Sequence, residues 1–397
     1  MKKVLYIVEP MIGIGPNVDA NVVAKTAIQS YPDLEMVIYM DDQIALKYTN
    51  ERVRWHKSTS WRYDSVNEQI KDLEGNLLTE EFKNNRRDEL IAIYDELRPD
   101  VLLLHNYISG SRWDNIIDFE MLPLIEHARR DNPNVKVYSF LIGMIDSFEH
   151  MTPVEEYHFV NSVKSNIDRI YLRSDNTELF FKTCPMARKF KELFVPVGYS
   201  GESTIPPQIE MYQGRKEVIV SAGGSDLGFD LFKTSIEAFY LAHETNSKLA
   251  DYDWRLFIGP LQEKNKQKLL DLNDELLSSK KLKTKLFIVD HVSPEEFLSV
   301  LCHNCVLSIS QCGQRTFTEL EIAGVPSVVV PRESEGKEFE QLYRAQYMEE
   351  CGRAGVVREK KLSSQNLLIT SQIALTTNVR RVGLRLNGIN RLLDCIV

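Results

Sequence analysis

No window of this sequence reaches the roughly 18 uncharged apolar residues of a membrane span. The first apolar run, Val4–Val8, is stopped by Glu9 before it could form the core of a secretion signal. These two absences imply a cytoplasmic protein, with peripheral contact at the inner membrane face as the one membrane option left. Cysteine is scarce as well: Cys184, Cys302, Cys305, Cys312, Cys351 and Cys395 are spread over 397 residues, which excludes a disulfide framework and suits a reducing compartment. Basic charge is in deficit. With 48 Lys and Arg against 57 Asp and Glu the net charge is −9, so a nucleic-acid partner is not expected and any phosphate recognised is a small one.

What is present is average for a soluble globular chain, 43% hydrophobic and 26% charged, at a length that predicts two or three domains. Short β-branched runs alternate with longer periodic segments, the pattern of an α/β fold with parallel sheets covered by helices. The runs Val4–Val8, Met36–Tyr39, Val101–Leu104, Val135–Phe140 and Ile170–Leu172 read as strands. Asn85–Leu97 reads as a helix ended by Arg98-Pro99. Residues 50–84 are less regular and are expected to form an elaborated loop region. A polar stretch rich in Gly, Ser and Pro over 198–216 reads as a linker. A second series follows it: Val218–Val220, Arg255–Ile258, Lys285–Val289, Val306–Ile309 and Ser327–Val330, with Phe232–His243 as an amphipathic helix. The expected organisation is a first domain over 1–205, a second over 217–372, and a last helical segment over 373–397 that is free to pack back on the first. Two doubly wound domains would face a cleft at the carboxyl ends of their strands, where such folds bind ligands.

Three loops of the second half follow strands and lead into helices. Ser221–Gly228 contains Gly223, Gly224 and Ser225, which permit close backbone approach to a phosphate at a helix start, or simply make a turn. Gln311–Leu320 places Gly313 and Thr316 at a helix start, with Glu319 one turn on. That carboxylate could accept both hydroxyls of a ribose, or be a solvated acid favoured by the helix dipole. Pro331–Gln341 is polar and could present side chains to a sugar.

Taken in this order, residues 217–357 resemble the donor-binding domain of GT-B glycosyltransferases related to the lipid-linked GlcNAc-transferase of peptidoglycan synthesis, a family 28-like group. The matching elements are Gly223-Gly224-Ser225, the stretch Phe287–Val292, Gly313-x-x-Thr316-x-x-Glu319, Ala323-Gly324-Val325-Pro326 into Val330-Pro331, and Glu340-Gln341. The first half is similar to a group of predicted bacterial and archaeal glycosyltransferases of the same fold, through Glu96–Leu103, Ser109-Gly110-Ser111-Arg112 and Asp146-Ser147. The resemblance implies two Rossmann-like domains and an inverting, metal-independent transfer from a nucleoside-diphosphate sugar, uridine-linked, to an acceptor that is a lipid, glycan, small molecule or protein. It implies no cofactor. It would place the diphosphate on Gly223, Gly224 and Ser225, the base near His291 and Val292, the ribose on Glu319, and the donor sugar at Glu340 and Gln341, with Gly13, Gly15 and Asn17 on the first-domain side.

Two departures from the family pattern matter. Where the family has two glutamines this chain has Glu340-Gln341, which leaves the donor sugar open. Where many relatives have a histidine after the second glycine of the first loop, Met11–Asp19, this chain has Pro16. An inverting transfer needs a group to take the acceptor hydroxyl's proton. Asp19 and His105 are the candidate catalytic residues, with Glu9 third. A structural histidine at 105 and a helix-dipole role for Asp19 are the alternatives.

Other readings carry less. Gly13-x-Gly15 with Asp41-Asp42 suggests a dinucleotide site, but Val18 stands where the third glycine belongs and Pro16 lacks an N–H. Cys302-x-x-Cys305 lacks a second ligand pair for zinc, and Asp251-Tyr252-Asp253 reads as a loop before a strand. Same-fold hydrolases or epimerases of nucleotide sugars, and a non-catalytic nucleotide-sugar-binding protein, remain rival functions. The segment holding Arg54, Trp55, His56, Lys57, Trp61, Arg62 and Tyr63 mixes aromatic and basic groups that suit a membrane surface or a packed loop over the first sheet.

Overall fold

A computed structural model describes residues 1–9, 15–42, 45–64, 69–108, 117–142, 151–200, 205–223, 228–259, 263–277, 282–333, 340–379 and 383–397. The chain divides into two compact units, one of Met1–Ser200 with Arg385–Val397 and one of Gly201–Leu384.

The first unit runs β1 (Lys2–Val8), α1 (Gly15–Ser30), β2 (Leu34–Met40), β3 (Val53–Lys57), a small hairpin of β4 (Arg62–Asp64) and β5 (Gln69–Lys71), α2 (Glu80–Leu97), β6 (Val101–His105), α3 (Asp118–Asp131), β7 (Lys136–Ile142), α4 (Pro153–Asn166), β8 (Arg169–Arg173), α5 (Glu178–Thr183) and β9 (Phe194–Pro196). Its sheet has the order β3-β2-β1-β6-β7-β8-β9, and every pairing in it is parallel. Strand alternation divides the core between the two faces of that sheet. Leu5, Ile7, Leu102 and Leu104 pack with α2 and α3 residues on one side. Val4, Tyr6, Val8, Val101 and Leu103 pack with α1 residues on the other. That double burial is why these strands are unbroken apolar runs.

The second unit runs β10 (Glu217–Ser221), α6 (Phe229–Glu244), β11 (Asp253–Ile258), α7 (Glu263–Leu277), β12 (Leu286–Asp290), α8 (Pro294–His303), β13 (Cys305–Ser310), α9 (Gln314–Ala323), β14 (Ser327–Val329), α10 (Glu340–Glu350), β15 (Ala354–Val356) and α11 (Ser364–Leu375). Its parallel sheet has the order β12-β11-β10-β13-β14-β15. Helix ends follow local chemistry. Thr79 caps α2 by accepting from the Phe82 N–H at 3.1 Å, and Thr152-Pro153 with Glu155 and Ser293-Pro294 with Glu296 form capping boxes on α4 and α8. The α9 helix differs. Its N-cap is Gly313, with no side-chain cap and no acid in the first turn.

The region 50–84 holds more order than its composition suggests, because β3 joins the sheet edge beside β2 and the hairpin follows it. The tail is two helices, α11 and α12 (Gly388–Ile396), not one segment running to the end. Asp253 opens β11 and accepts from the Lys285 N–H, at the amino edge of the sheet. Among the described residues no helix is long and apolar enough to cross a membrane.

The α12 helix belongs to the first unit, where Ile389, Leu392, Leu393 and Ile396 share the core with Ala20, Val23, Ala24 and Ala27 of α1. The Tyr31 hydroxyl donates to the Asn390 carbonyl and Asp394 carboxylate, at 2.8 and 2.7 Å. The chain leaves and re-enters this unit side by side: the Tyr199 N–H donates to the Arg385 carbonyl at 2.7 Å, and the Gly388 N–H to the Tyr199 carbonyl at 3.1 Å. A Cβ on Gly388 would lie 2.4 Å from the Gly198 carbonyl oxygen, so only glycine allows this clasp. Leu392→Ala should cost the first unit about 2–5 kcal/mol. Chemical denaturation followed by a first-unit probe checks it, and a loss near zero would show that α12 is dispensable.

Candidate functional site

In each sheet the strand order reverses beside the first strand of its unit, between β1 and β6 and between β10 and β13. The carboxyl ends there are where doubly wound sheets bind ligands. In the second unit, the loops after β10, β13 and β14 leave three neighbouring strands. Gly223 has φ +70, and a Cβ on it would meet nothing within 4 Å; the same openness holds at Gly313, whose φ of −63 any residue could adopt. Neither packing nor conformation explains glycine at 313. Thr316 is half-buried in that first turn. Gly224 and Ser225 lie outside the described residues.

Glu319 is not solvated. It is 8% exposed, burial pushes its carboxyl up, and the Arg315 Nε donates to it at 2.9 Å. Gln341 is spent on the fold: its Oε1 accepts from the N–H groups of Cys312 and Arg332, both at 3.1 Å, and so joins two of the loops. Glu340 pairs with buried Arg344, which also donates to the Cys312 carbonyl. Glu333, after β14, accepts from Arg358 Nε at 2.7 Å. His291 and half-buried Val292 follow β12, at the edge of the sheet.

The first unit's edge is built from charged side chains. Asp19 in α1 pairs with Arg173 at the end of β8, and its other oxygen accepts from Ser200 Oγ at 3.3 Å. His105 ends β6 with its ring fully buried; Nδ1 lies 2.6 Å from the Tyr6 hydroxyl and Nε2 lies 3.7 Å from Asp19. Burial, helped by Arg173, lowers its pKa to about 3. A ring so placed is neutral and a poor base. Asn106 has φ +54, accepts from Arg173 Nη2 at 3.2 Å and from the Ile142 N–H at 3.1 Å. Arg173 was not singled out in the sequence; an arginine directly after the apolar run Ile170–Leu172 was the available signal. Gly15 starts α1, exposed and with open space about it. Asn17 is fully buried and donates to Asp41 at 2.8 Å. The same bond occupies the acid a dinucleotide ribose would need. Gly13, Ser109–Arg112, Asp146 and Ser147 lie outside the described residues.

Glu9 is also interior. Arg86 Nη2 donates to it at 2.8 Å, Arg86 Nε to Glu120 at 2.9 Å, and Trp61 Nε1 to Glu9 at 2.9 Å. The aromatic and basic segment follows a sheet edge: Trp61 is 0% exposed, Trp55 donates to the Met40 carbonyl, the partly exposed Arg54, His56 and Lys57 pair with Glu35, Glu89 and Asp42, and Arg62 is exposed. The side chain of Tyr63 lies outside the description.

Residues 262–376 match the Glycosyltransferase family 28 C-terminal domain. Over 100% of this chain and 99% of the other, the fold superposes on MurG of Acinetobacter baumannii with a TM-score of 0.60 at 14% identity. The chain has the GT-B fold, and its second unit is family 28-like. Other solved proteins share this GT-B fold. A UDP-GlcNAc 2-epimerase from Neisseria meningitidis bound to UDP-GlcNAc gives TM-score 0.58 at 11% identity, covering 100% and 99% of the two chains. CalG4, the calicheamicin glycosyltransferase, gives 0.56 at 13%, covering 100% and 94%. No curated protein matches by sequence.

Two buried carboxylates on one guanidinium set a pH dependence in this GT-B chain. Burial raises Glu120 to about 8, against the pull of Arg86 and with the push of Glu9. A pKa raised on folding contributes stability that is full below the unfolded value near 4.5 and lost as pH rises through about 8. Melting temperature should therefore fall between pH 5 and 9, and Glu120→Gln should flatten the fall. An unchanged slope in that variant would show that Glu120 is not the titrating group.

Proposed function

We propose that this protein is a glycosyltransferase that moves a sugar from a nucleoside diphosphate, uridine-linked, to an acceptor hydroxyl. The observation that carries this reading is the set of loops after β10, β13 and β14, with glycines at 223 and 313 open to a ligand, inside the segment that matches family 28. The diphosphate would lie against Gly223, Gly224, Ser225 and the α9 start at Gly313 and Thr316, where backbone amides and the helix dipole favour negative charge. Glu319, held by Arg315, would accept the ribose hydroxyls, the His291–Val292 backbone would meet the base, and Glu340 would stand nearest the sugar.

In the transfer the acceptor oxygen forms a bond to the anomeric carbon as the bond from that carbon to the diphosphate oxygen breaks. The nucleoside diphosphate leaves with the electron pair, stabilised at the helix start. Asp19 would take the acceptor's proton.

Isothermal calorimetry with uridine, guanosine, thymidine and adenosine diphosphates tests the donor site. UDP should bind, Glu319→Ala should weaken it about tenfold or more through loss of charge-assisted hydrogen bonds, and absence of binding to all four would overturn the reading. Gly313→Ala should weaken UDP comparably while shifting stability by no more than about 1 kcal/mol, the scale of a cap residue. Equal affinity in that variant would remove Gly313 from the site. The UDP-GlcNAc 2-epimerases among the fold's neighbours favour one second reading. Incubation with UDP-GlcNAc alone separates the two, since an epimer formed without acceptor supports the second and none supports transfer.

A further inference from the structure

Asp19 is held from three other elements. Arg173 at the end of β8 donates to Oδ2, His105 Nε2 at the end of β6 lies 3.7 Å from the same oxygen, and Ser200, where the chain leaves the first unit, donates to Oδ1. The Arg173 side chain is 4% exposed and the Asp19 side chain 14%. Phe140 of β7 packs under both partners, 5.8 Å from the His105 ring and 5.0 Å from the Arg173 guanidinium. The titratable and charged groups facing His105 are Tyr6 from β1, Asp19 from α1 and Arg173 from β8.

These contacts fix the imidazole tautomer. Nδ1 and the Tyr6 hydroxyl are 2.6 Å apart, and Nε2 is a buried nitrogen with no hydrogen-bond partner within range among the described residues. If Tyr6 donates to Nδ1, the proton sits on Nε2 and points toward the Asp19 carboxylate, which is attractive. If Nδ1 donates to Tyr6 instead, the Nε2 lone pair faces that carboxylate, which is repulsive, and the Tyr6 proton must find another acceptor. A second proton on the ring is opposed by burial and by Arg173.

We propose that Arg173 is the positioning residue of this site: it orients the Asp19 carboxylate and keeps His105 behind it as a neutral Nε2–H donor, so that Asp19 alone is left to receive a ligand's proton. The last clause rests on the transferase reading; the arrangement of Arg173, His105 and Asp19 does not. It reassigns His105 from proton acceptor to support. It also gives an arginine 154 positions away from Asp19 a task beyond holding the fold.

The experiment is NMR of the full chain with 15N-labelled histidine rings, assigned with His105→Phe. In wild type His105 should show the neutral Nε2–H pattern and stay neutral from pH 8 to pH 5. In Arg173→Met the midpoint of its titration should rise by about one pH unit or more, since the repelling cation is gone and Asp19 attracts the imidazolium; Arg173→Lys should restore the wild-type behaviour. An Nδ1–H pattern, protonation of wild-type His105 near its ordinary value, or no change in Arg173→Met would overturn the proposal. Should Arg173→Met fail to fold, Asp19→Asn reads the same contact: the His105 Nε2 resonance should move, and an unmoved resonance counts against it. No turnover enters these measurements, so a failed transferase assay and a failed arrangement are told apart.

Discussion

One guanidinium organises the interior of the first unit. Arg86 reaches from α2 to Glu9 at the end of β1, to Glu120 in α3 and to the Thr59 carbonyl before the hairpin, and its cation lies 5.5 Å from the centre of the Tyr39 ring. Removing either charge type from such a group leaves its partners buried and uncompensated, a loss on the order of 3–5 kcal/mol. The apolar layers could tolerate many side chains of similar volume. This polar knot could not, because it fixes where β1 ends and therefore where the loop ahead of α1 begins.

The two carboxyl edges are made of different material. In the second unit the edge is backbone: a strand end at Gly223, a glycine-capped helix, and the described residues after β13 and β14 stitched together by Gln341, Arg344 and Glu333. In the first unit it is side chains, with Asp19, Arg173, Asn106 and His105 closing on one another. Backbone amides suit a fixed diphosphate common to many donors. Charged side chains suit a proton that must be moved.

The strands were legible because a parallel sheet with helices on both faces demands runs such as Val4–Val8 and Val101–Leu104 that are buried throughout. Strand β3 was not, since an edge strand reading Val-Arg-Trp-His-Lys buries only Val53. β9 and β15 are too short, at three residues each, to show any period. For the candidate site, the loops after strands could be named as candidates, because folds of this class bind ligands there. Partnerships could not: nothing near Asp19 announces Arg173, nothing near Glu9 announces Arg86, and the composition around Gln341 cannot say that its amide oxygen is claimed by two backbone donors. Glu319 shows the same limit, since helical spacing gives its face and only packing makes it a buried acid.

The clasp between Tyr199 and Arg385 makes the second unit an insertion within the first. During synthesis the ribosome delivers Ser200 and then roughly 185 further residues before α12 appears, which at about 5–20 residues per second is an interval of about 10–40 s. Throughout it the apolar side of α1 that will receive Leu392 and Leu393 has no cover. The second unit has all of its own chain by then. Biogenesis of this protein is thus ordered against its sequence, with the inserted unit able to finish first and the amino-terminal unit waiting for α12.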